Sequence, residues 1–204
     1  MSRTVSALYD KYDEAAAAVR ELEDAGIPAA DISLVSNNVD NHYRVEADKE
    51  TAGDIAADGA GAGSLIGGGA GLLAGLGVIA IPGIGPVVAA GWLAATAVGA
   101  AAGAIAGAIG GGIVGSLTRS GVSEEDAHLY AEGVRRGGSL VSVRVEADRE
   151  AAVEQILHAH DHVDLAARGG ALRDNGWRQF DESGRAFSEE ELARARQDPR
   201  QPLI

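Results

Sequence analysis

Residues 59–118 decide how the chain is organised, and they read GAGAGSLIGGGAGLLAGLGVIAIPGIGPVVAAGWLAATAVGAAAGAIAGAIGGGIVGSLT. The stretch contains no Asp, Glu, Lys, Arg or His, although the whole chain has a formal net charge of −13. The segment Pro82-Gly83-Ile84-Gly85-Pro86 interrupts it, and this density of proline and glycine predicts a turn. The uncharged stretch therefore divides into two arms, residues 61–81 and 87–117.

Glycine recurs at every fourth position within both arms. Because residues i and i+4 lie on one face of an α-helix, the spacing predicts two helices with smooth stripes on which another backbone packs closely, as in membrane helix pairs. The predicted helix-packing residues are Gly63, Gly67, Gly71 and Gly75 in the first arm and Gly99, Gly103, Gly107, Gly111 and Gly115 in the second. The predicted hairpin turn consists of Pro82, Gly83, Gly85 and Pro86.

A lipid bilayer is the first partner that this helical hairpin suggests. The first arm is ~31 Å long at about 1.5 Å per residue, which matches a hydrocarbon core of roughly 30 Å. The N-terminus shows no basic and apolar signal pattern, and both hairpin ends lead into one folded domain. We therefore expect a location at the cytoplasmic membrane, with the folded domain in the cytoplasm and with self-association through the glycine stripes.

A second interpretation keeps the hairpin away from lipid. Glycine is a poor helix former in water, by about 1 kcal/mol relative to alanine, so the arms need either lipid or tight protein packing. In this alternative the protein is a soluble cytoplasmic homo-oligomer, or a module that binds a small ligand or partner, and its hairpins form the buried core of the oligomer.

The residues that flank the uncharged stretch predict one α/β domain in two halves, residues 1–48 and 119–166. Each half has a strand, an alanine-rich helix with a capping residue, and a short strand. This pseudo-repeat predicts an α+β fold, namely a ferredoxin-like βαββαβ sheet with helices on one face. The glycine-zipper hairpin, residues 59–118, is inserted between strands 2 and 3. Residues 49–58 predict an acidic linker, and residues 167–204 predict a charged, loosely packed tail.

The composition argues against several classes of function. An acidic chain repels nucleic-acid phosphates, and no basic stripe is present, so we expect no nucleic-acid partner. The chain has no cysteine, which excludes disulfides and thiol chemistry. No phosphate-binding loop, nucleophile elbow or zinc-protease motif occurs. We therefore expect no enzyme activity, no catalytic residue and no cofactor.

Three histidines form the one motif with metal-binding spacing. His158, His160 and His162 alternate, and on a strand they would place three imidazoles on one face. The motif straddles a predicted helix end, however, so we interpret these residues as solvated histidines at a helix terminus. The sequence therefore assigns no metal site, with the three histidines as weak candidates.

Several segments resemble a known family. The strand Thr4–Tyr9, the helix that contains AAAVRELEDAGIP and the strand DISLVS resemble the N-terminal module of bacterial general stress (heat-induced stress) proteins. The segment Tyr130–Val143 and the tail at Trp177–Asp181 are similar to the family as well. The resemblance implies a bacterial stress-associated protein, and because its motifs are structural it implies no active site.

Overall fold

The computed structural model describes residues 2–38, 72–96 and 112–197. Within these ranges the strands are β1 (Ser2–Tyr9), β2 (Ile32–Asn37), β3 (Gly77–Ile81), β4 (Gly85–Gly91) and β5 (Ser139–Glu146). The helices are α1 (Tyr12–Asp24), α2 (Gly112–Arg119), α3 (Glu124–Arg135), α4 (Glu150–Ala159), α5 (Leu165–Asp174) and α6 (Glu189–Gln197). Short 3₁₀ turns occupy Ala29–Asp31 and Leu72–Gly75, and one helical turn occupies residues 92–96.

The five strands of these ranges form one antiparallel sheet in the order β1-β5-β2-β4-β3. Strand β5 lies between β1 and β2, and it pairs Val143 with Val5 on one side and with Ile32 on the other. An isolated antiparallel bridge joins Tyr9 to His162 on the outer side of β1. The protein is therefore an α+β protein, as the sequence predicted, and the described strands form an antiparallel sheet.

One face of the sheet packs against α1 and α4. Alternate strand residues point to this face because successive side chains of a strand project to opposite sides, and they form one buried cluster with the apolar stripes of the two helices. Burial of each large aliphatic side chain in such a cluster contributes about 1.5–3 kcal/mol. The strand residues include Val5, Ala7, Tyr9, Leu34, Val141 and Val143, and the helix residues include Val19, Leu22, Val153 and Leu157.

The opposite face packs against α2, α3 and the segment around Phe180. Its strand residues include Leu8, Val35, Val87, Ala89 and Leu140, and its covering residues include Ile113, Leu117, Ala127 and Val134. The prediction of helices on one face is therefore wrong, since both faces carry apolar strand residues and each needs a covering layer.

The predicted helical hairpin is also wrong on both sides of its turn. Residues 77–81 and 85–91 are strands that pair with each other, and β4 pairs in turn with β2. The β-branched residues Val78, Ile79, Val87 and Val88 favour extended backbone, whereas the surrounding glycines weaken a helix. The hairpin is thus part of the sheet.

The turn of this β-hairpin lies within the predicted segment. Pro82 precedes Gly83, whose φ is +75°, and the Ile84 N–H donates to the Ile81 carbonyl at 3.1 Å. Proline followed by a glycine with positive φ is the pattern that a type II turn requires. Gly85, with a φ of +99°, begins β4 next to Pro86.

The two described zipper glycines lie in different elements. Gly75 ends a 3₁₀ turn two residues before β3, so the first arm is not one helix from residue 61 to 81, and Gly115 lies buried in α2. The remaining zipper positions, Gly63, Gly67, Gly71, Gly99, Gly103, Gly107 and Gly111, and the acidic linker at residues 49–58 fall outside the described residues. Among residues 2–38, 72–96 and 112–197, no helix has the length and apolar content needed to cross a membrane.

Candidate functional site

Strand β3 forms the outermost strand of the sheet on the side of the hairpin. It pairs with β4, and no other strand of the described residues pairs with it. Its sequence, GVIAI, contains no charge. Val78 is 45% exposed, and it is the one exposed large hydrophobic side chain in the part of the chain that the structure describes. Natural edge strands usually carry charges or prolines that discourage pairing with another chain. Strand β3 carries neither.

Alternate residues of β3 direct their backbone groups away from the sheet. The Asn38 N–H donates to the Pro86 carbonyl at 2.9 Å. The Pro86 carbonyl therefore faces β2, and the backbone N–H and C=O of the next residue, Val87, face β3. In the register, Val87 lies opposite Ile79, and in an antiparallel ladder only every second residue exchanges hydrogen bonds with a given neighbour. Val78 and Ala80 therefore point their N–H and C=O groups to the open edge.

The inner side of the hairpin is anchored firmly. Ile81, Ile84 and Val87 are buried in the cluster beneath α2 and α3. At the far end of β4, an added Cβ at Gly91 would lie 2.1 Å from the Ile32 carbonyl oxygen, and the φ of Gly91 is +85°. Glycine is therefore required where β4 meets β2, and the open edge of β3 is held in a fixed place.

A segment near the C-terminus, residues 180–192, packs across the hairpin turn and α3. We call it the C-terminal strap. Phe180 is 3% exposed, and an added Cβ at Gly83 would lie 2.7 Å from the Asp181 carbonyl oxygen and 3.0 Å from the Phe180 ring. Further along, the Arg135 guanidinium lies over the Phe187 ring, with its central carbon 4.3 Å from the ring centroid. The tail, which the sequence predicted to be loosely packed, thus supports the turn.

Charged contacts fix the second half of the strap. The Arg185 guanidinium donates to both carboxylate oxygens of Glu191, and the Ser188 N–H donates to the same carboxylate at 2.7 Å. The hydrogen bonds from Arg185, which have the largest effect, and from Ser188 lower the pKa of Glu191 to about 2. Burial raises the pKa of Glu182, whose carboxylate faces Gly112 at the start of α2. The strap is therefore held by a cap at α6 and by aromatic packing.

A buried ion pair lies where α3 meets the end of β2. Glu132 is 1% exposed, and it accepts hydrogen bonds from Arg136 Nε at 2.6 Å and from Arg135 Nη1 at 3.5 Å. The Asn37 amide donates to the Val134 carbonyl at 3.1 Å. The ion pairs therefore fix the C-terminal end of α3, and the hydrogen bond from Asn37 ties that end to β2.

The structure separates the three candidate histidines. The rings of His158 and His162 stack with centroids 4.3 Å apart, whereas His160 Nε2 lies 3.0 Å from Glu21 Oε2 of α1. The divergence arises because α4 ends at Ala159, so the alternation of a strand does not apply across the motif. No group of three potential ligands capable of holding a metal occurs in residues 2–38, 72–96 and 112–197.

The stacked histidines line a shallow cleft of about 260 Å³, together with Ser6, Tyr130 and Asp164. The Tyr130 hydroxyl donates to the Ser6 carbonyl at 2.8 Å, and burial raises the pKa of Tyr130. The Asp164 carboxylate accepts from the N–H of Ala167 and caps α5. The Tyr130 hydroxyl and the Asp164 carboxylate therefore already make structural hydrogen bonds at this cleft.

The edge at β3 was not predicted from the sequence, because the glycine spacing assigned both arms to helices. A signal for the edge was nevertheless present, since Val78 to Ile81 is an uncharged segment rich in β-branched residues immediately before a Pro-Gly turn.

Comparison with known proteins bears on the first third of the chain. Residues 4–79 match the family described as "Heat induced stress protein YflT domain". This match confirms the predicted resemblance to general stress proteins for the part that contains β1, α1 and β2. Searches of curated proteins and of solved structures found no match.

Proposed function

We propose that this protein is a non-enzymatic, stress-associated protein that associates with copies of itself through the uncharged region around its β-hairpin. The association with stress rests on the similarity of residues 4–79 to the heat-induced stress domain. The self-association rests chiefly on one observation, the uncharged edge of β3, on which none of the described strands pairs.

Charge distribution supports contact at this edge. Each copy has a formal net charge of −13, and like charge keeps molecules apart by long-range repulsion. Strands β3 and β4, together with α2 as far as Thr118, lie in the stretch without formal charges, residues 59–118. Two copies meet there at the lowest electrostatic cost.

We interpret the sheet core as ferredoxin-like with an added hairpin. The bridge at His162, then β1, β5 and β2 follow one another across the sheet, which is the spatial order of the fourth, first, third and second strands of a βαββαβ unit. In this interpretation β4 and β3 extend the sheet beyond β2, at the place where the sequence suggested an inserted helical hairpin.

Self-association is favoured over a transmembrane hairpin. Strands β3 and β4 occupy the middle of the uncharged stretch, where a transmembrane helical hairpin would need helices. The proposal includes a cytoplasmic location and contact of the uncharged stretch with the membrane surface.

The non-enzymatic part of the proposal is supported by how the polar side chains are used. The hydroxyl of Tyr130 and the carboxylates of Asp164 and Glu132 make structural hydrogen bonds at helix ends and between helix and sheet. General acid–base or nucleophilic catalysis needs such groups to converge on a substrate.

Sedimentation velocity of the full chain without detergent tests the proposal. We expect an oligomer that dissociates on dilution, because a short uncharged edge forms a modest interface. Weak complexes have dissociation constants in the micromolar range. A chain that stays monomeric at every concentration up to about 100 μM would therefore contradict self-association. Flotation with phosphatidylcholine vesicles, carried out in parallel, distinguishes self-association from membrane binding. If the membrane alternative is right, the chain is monomeric without lipid and floats with the vesicles.

A further inference from the structure

We propose that two copies of the chain pair through β3, antiparallel and about a two-fold axis at Val78, so that the five described strands of each copy join in one continuous sheet. This inference rests on the self-association proposed above and names the surface and the partner. Antiparallel addition of a strand to an open sheet edge is a common mode of recognition, in which main-chain hydrogen bonds supply the affinity.

The two ends of the sheet differ in how they are protected. At the end formed by β1, the bridge between Tyr9 and His162 and the hydrogen bond from the Val163 N–H to the Leu8 carbonyl, 2.8 Å long, occupy part of the outer side. Arg3 on the same strand forms an ion pair with Glu150. In the described ranges, β3 has neither a strand partner nor a charge at its outer side. Pairing between copies is therefore expected at β3 and not at β1.

The outward backbone groups select the register. A two-fold axis at Val78 places Val78 opposite its own copy, so that each N–H donates to the other C=O, and it places Ala80 opposite Leu76 of the second copy. A shift of the axis to Ile79 would place Leu76 opposite Pro82, which has no N–H to donate. In the register centred on Val78, Leu76, Val78 and Ala80 therefore each exchange two hydrogen bonds with their partners, and this is the register that we propose.

Side chains reinforce this choice. Val78, whose side chain is the exposed large hydrophobic group of β3, would contact its copy across the axis. Cross-strand pairs of β-branched residues stabilise antiparallel sheets, and no like charges oppose each other along the paired segment, since residues 76–82 are uncharged. In this register the exposed Val78 side chain contacts Val78 of the second copy, and the outward backbone groups of the two β3 strands pair with each other.

A cysteine at the axis tests the geometry directly. The chain has no cysteine, so Val78→Cys introduces a single thiol. In a hydrogen-bonded antiparallel pair the two Cα atoms lie about 5.5 Å apart, within the range of roughly 4.4–6.8 Å that a disulfide spans. Under mild oxidation we expect a covalent dimer from Val78→Cys. The control Ala152→Cys, on the exposed surface of α4, should stay predominantly unlinked.

A matched pair of lysine substitutions tests the energetics. Ala80→Lys places a charge on the exposed side of β3, and Ala152→Lys makes the same change on α4, where the residue is also exposed. We expect Ala80→Lys to raise the dissociation constant of the parent oligomer at least about 10-fold, and Ala152→Lys to leave it within about 2-fold. Circular dichroism verifies that both variants keep their fold.

The outcomes separate this inference from the proposed function. If the parent chain associates but neither Ala80→Lys weakens the oligomer nor Val78→Cys gives a covalent dimer, β3 is not the interface and self-association stands. If the parent chain is a monomer, both the interface and the proposed function are wrong. If Ala80→Lys is misfolded, the result with Val78→Cys alone decides whether the copies pair at the axis.

Discussion

Gly133 lies in the last turn of α3, where its missing side chain lets the helix approach β1. An added Cβ there would lie 2.3 Å from Leu8 Cδ2, and Leu8 is itself fully buried. We expect Gly133→Ala to lower the free energy of unfolding by about 1–3 kcal/mol, because overpacking in a rigid core is destabilising and outweighs the gain of about 1 kcal/mol in helix propensity.

Gly170 in α5 provides the matched control for this substitution. Nothing lies within 4 Å of a Cβ added there, so Gly170→Ala should raise the free energy of unfolding by up to about 1 kcal/mol through helix propensity. Urea denaturation of both variants measures the difference. A stabilising effect at both positions would show that Leu8 moves aside and that the α3 contact is not tight.

At the scale of elements, the C-terminal strap is expected to respond to acid. The pKa of Glu191 is lowered from its ordinary value of 4.5 to about 2 by the hydrogen bonds from Arg185 and Ser188. The folded state therefore binds this proton less readily than the unfolded state. The contribution of Glu191 to stability is fully present above pH 4.5 or so, and it is lost as the pH falls through the folded pKa near 2.

The amide signal of Ser188 in an NMR titration measures this pKa, because its N–H donates to the Glu191 carboxylate. We expect a midpoint near pH 2 for the parent chain. Arg185→Met removes the largest cause of the shift and should move the midpoint upward. A parent midpoint at the ordinary carboxyl value would mean that Arg185 and Glu191 are not paired in solution.

The elements that flank the uncharged stretch were predictable from sequence. The alternation in residues 139–146 and the cap at Ser123 correspond to β5 and to the start of α3, where the Ser123 side chain accepts from the Asp126 N–H. These signals are local, since capping and alternation depend on neighbours in the chain.

The hairpin was mispredicted because two local patterns compete there. The four-residue spacing of glycines suggested helices, whereas Val78, Ile79, Val87 and Val88 favour strands, and pairing of β4 with β2 decides between them. Tertiary pairing of this kind overrides local secondary-structure propensity, and the sequence of either arm alone does not reveal it. The open edge of β3 became visible only once the strand order was known, since an edge is a property of the whole sheet.

For the whole molecule, net charge makes a prediction about salt. Copies that carry a charge of −13 repel each other, and the repulsion is screened over about 10 Å at 0.1 M salt. Because the proposed interface itself is uncharged, we expect the dissociation constant to fall several-fold between about 20 mM and about 300 mM sodium chloride, a range over which the screening length shortens appreciably.

Sedimentation velocity at the two salt concentrations measures this change. Ala80→Lys should associate more weakly than the parent chain at both concentrations, because the lysine occupies the proposed interface. Association that weakens with salt would instead indicate that oppositely charged groups hold the copies together, and it would contradict an uncharged interface.

The position of β5 between β1 and β2 also has a consequence for synthesis of the protein on the ribosome. β2 ends at Asn37 and β5 begins at Ser139, so at roughly 5–20 residues per second the gap between them stays open for about 5–20 s. During that time the nascent chain exposes two facing, unpaired strand edges in the segment similar to heat-induced stress domains. The late arrival of β5 closes both edges in one step, so the matched segment, residues 4–79, completes its sheet only after most of the chain has been made.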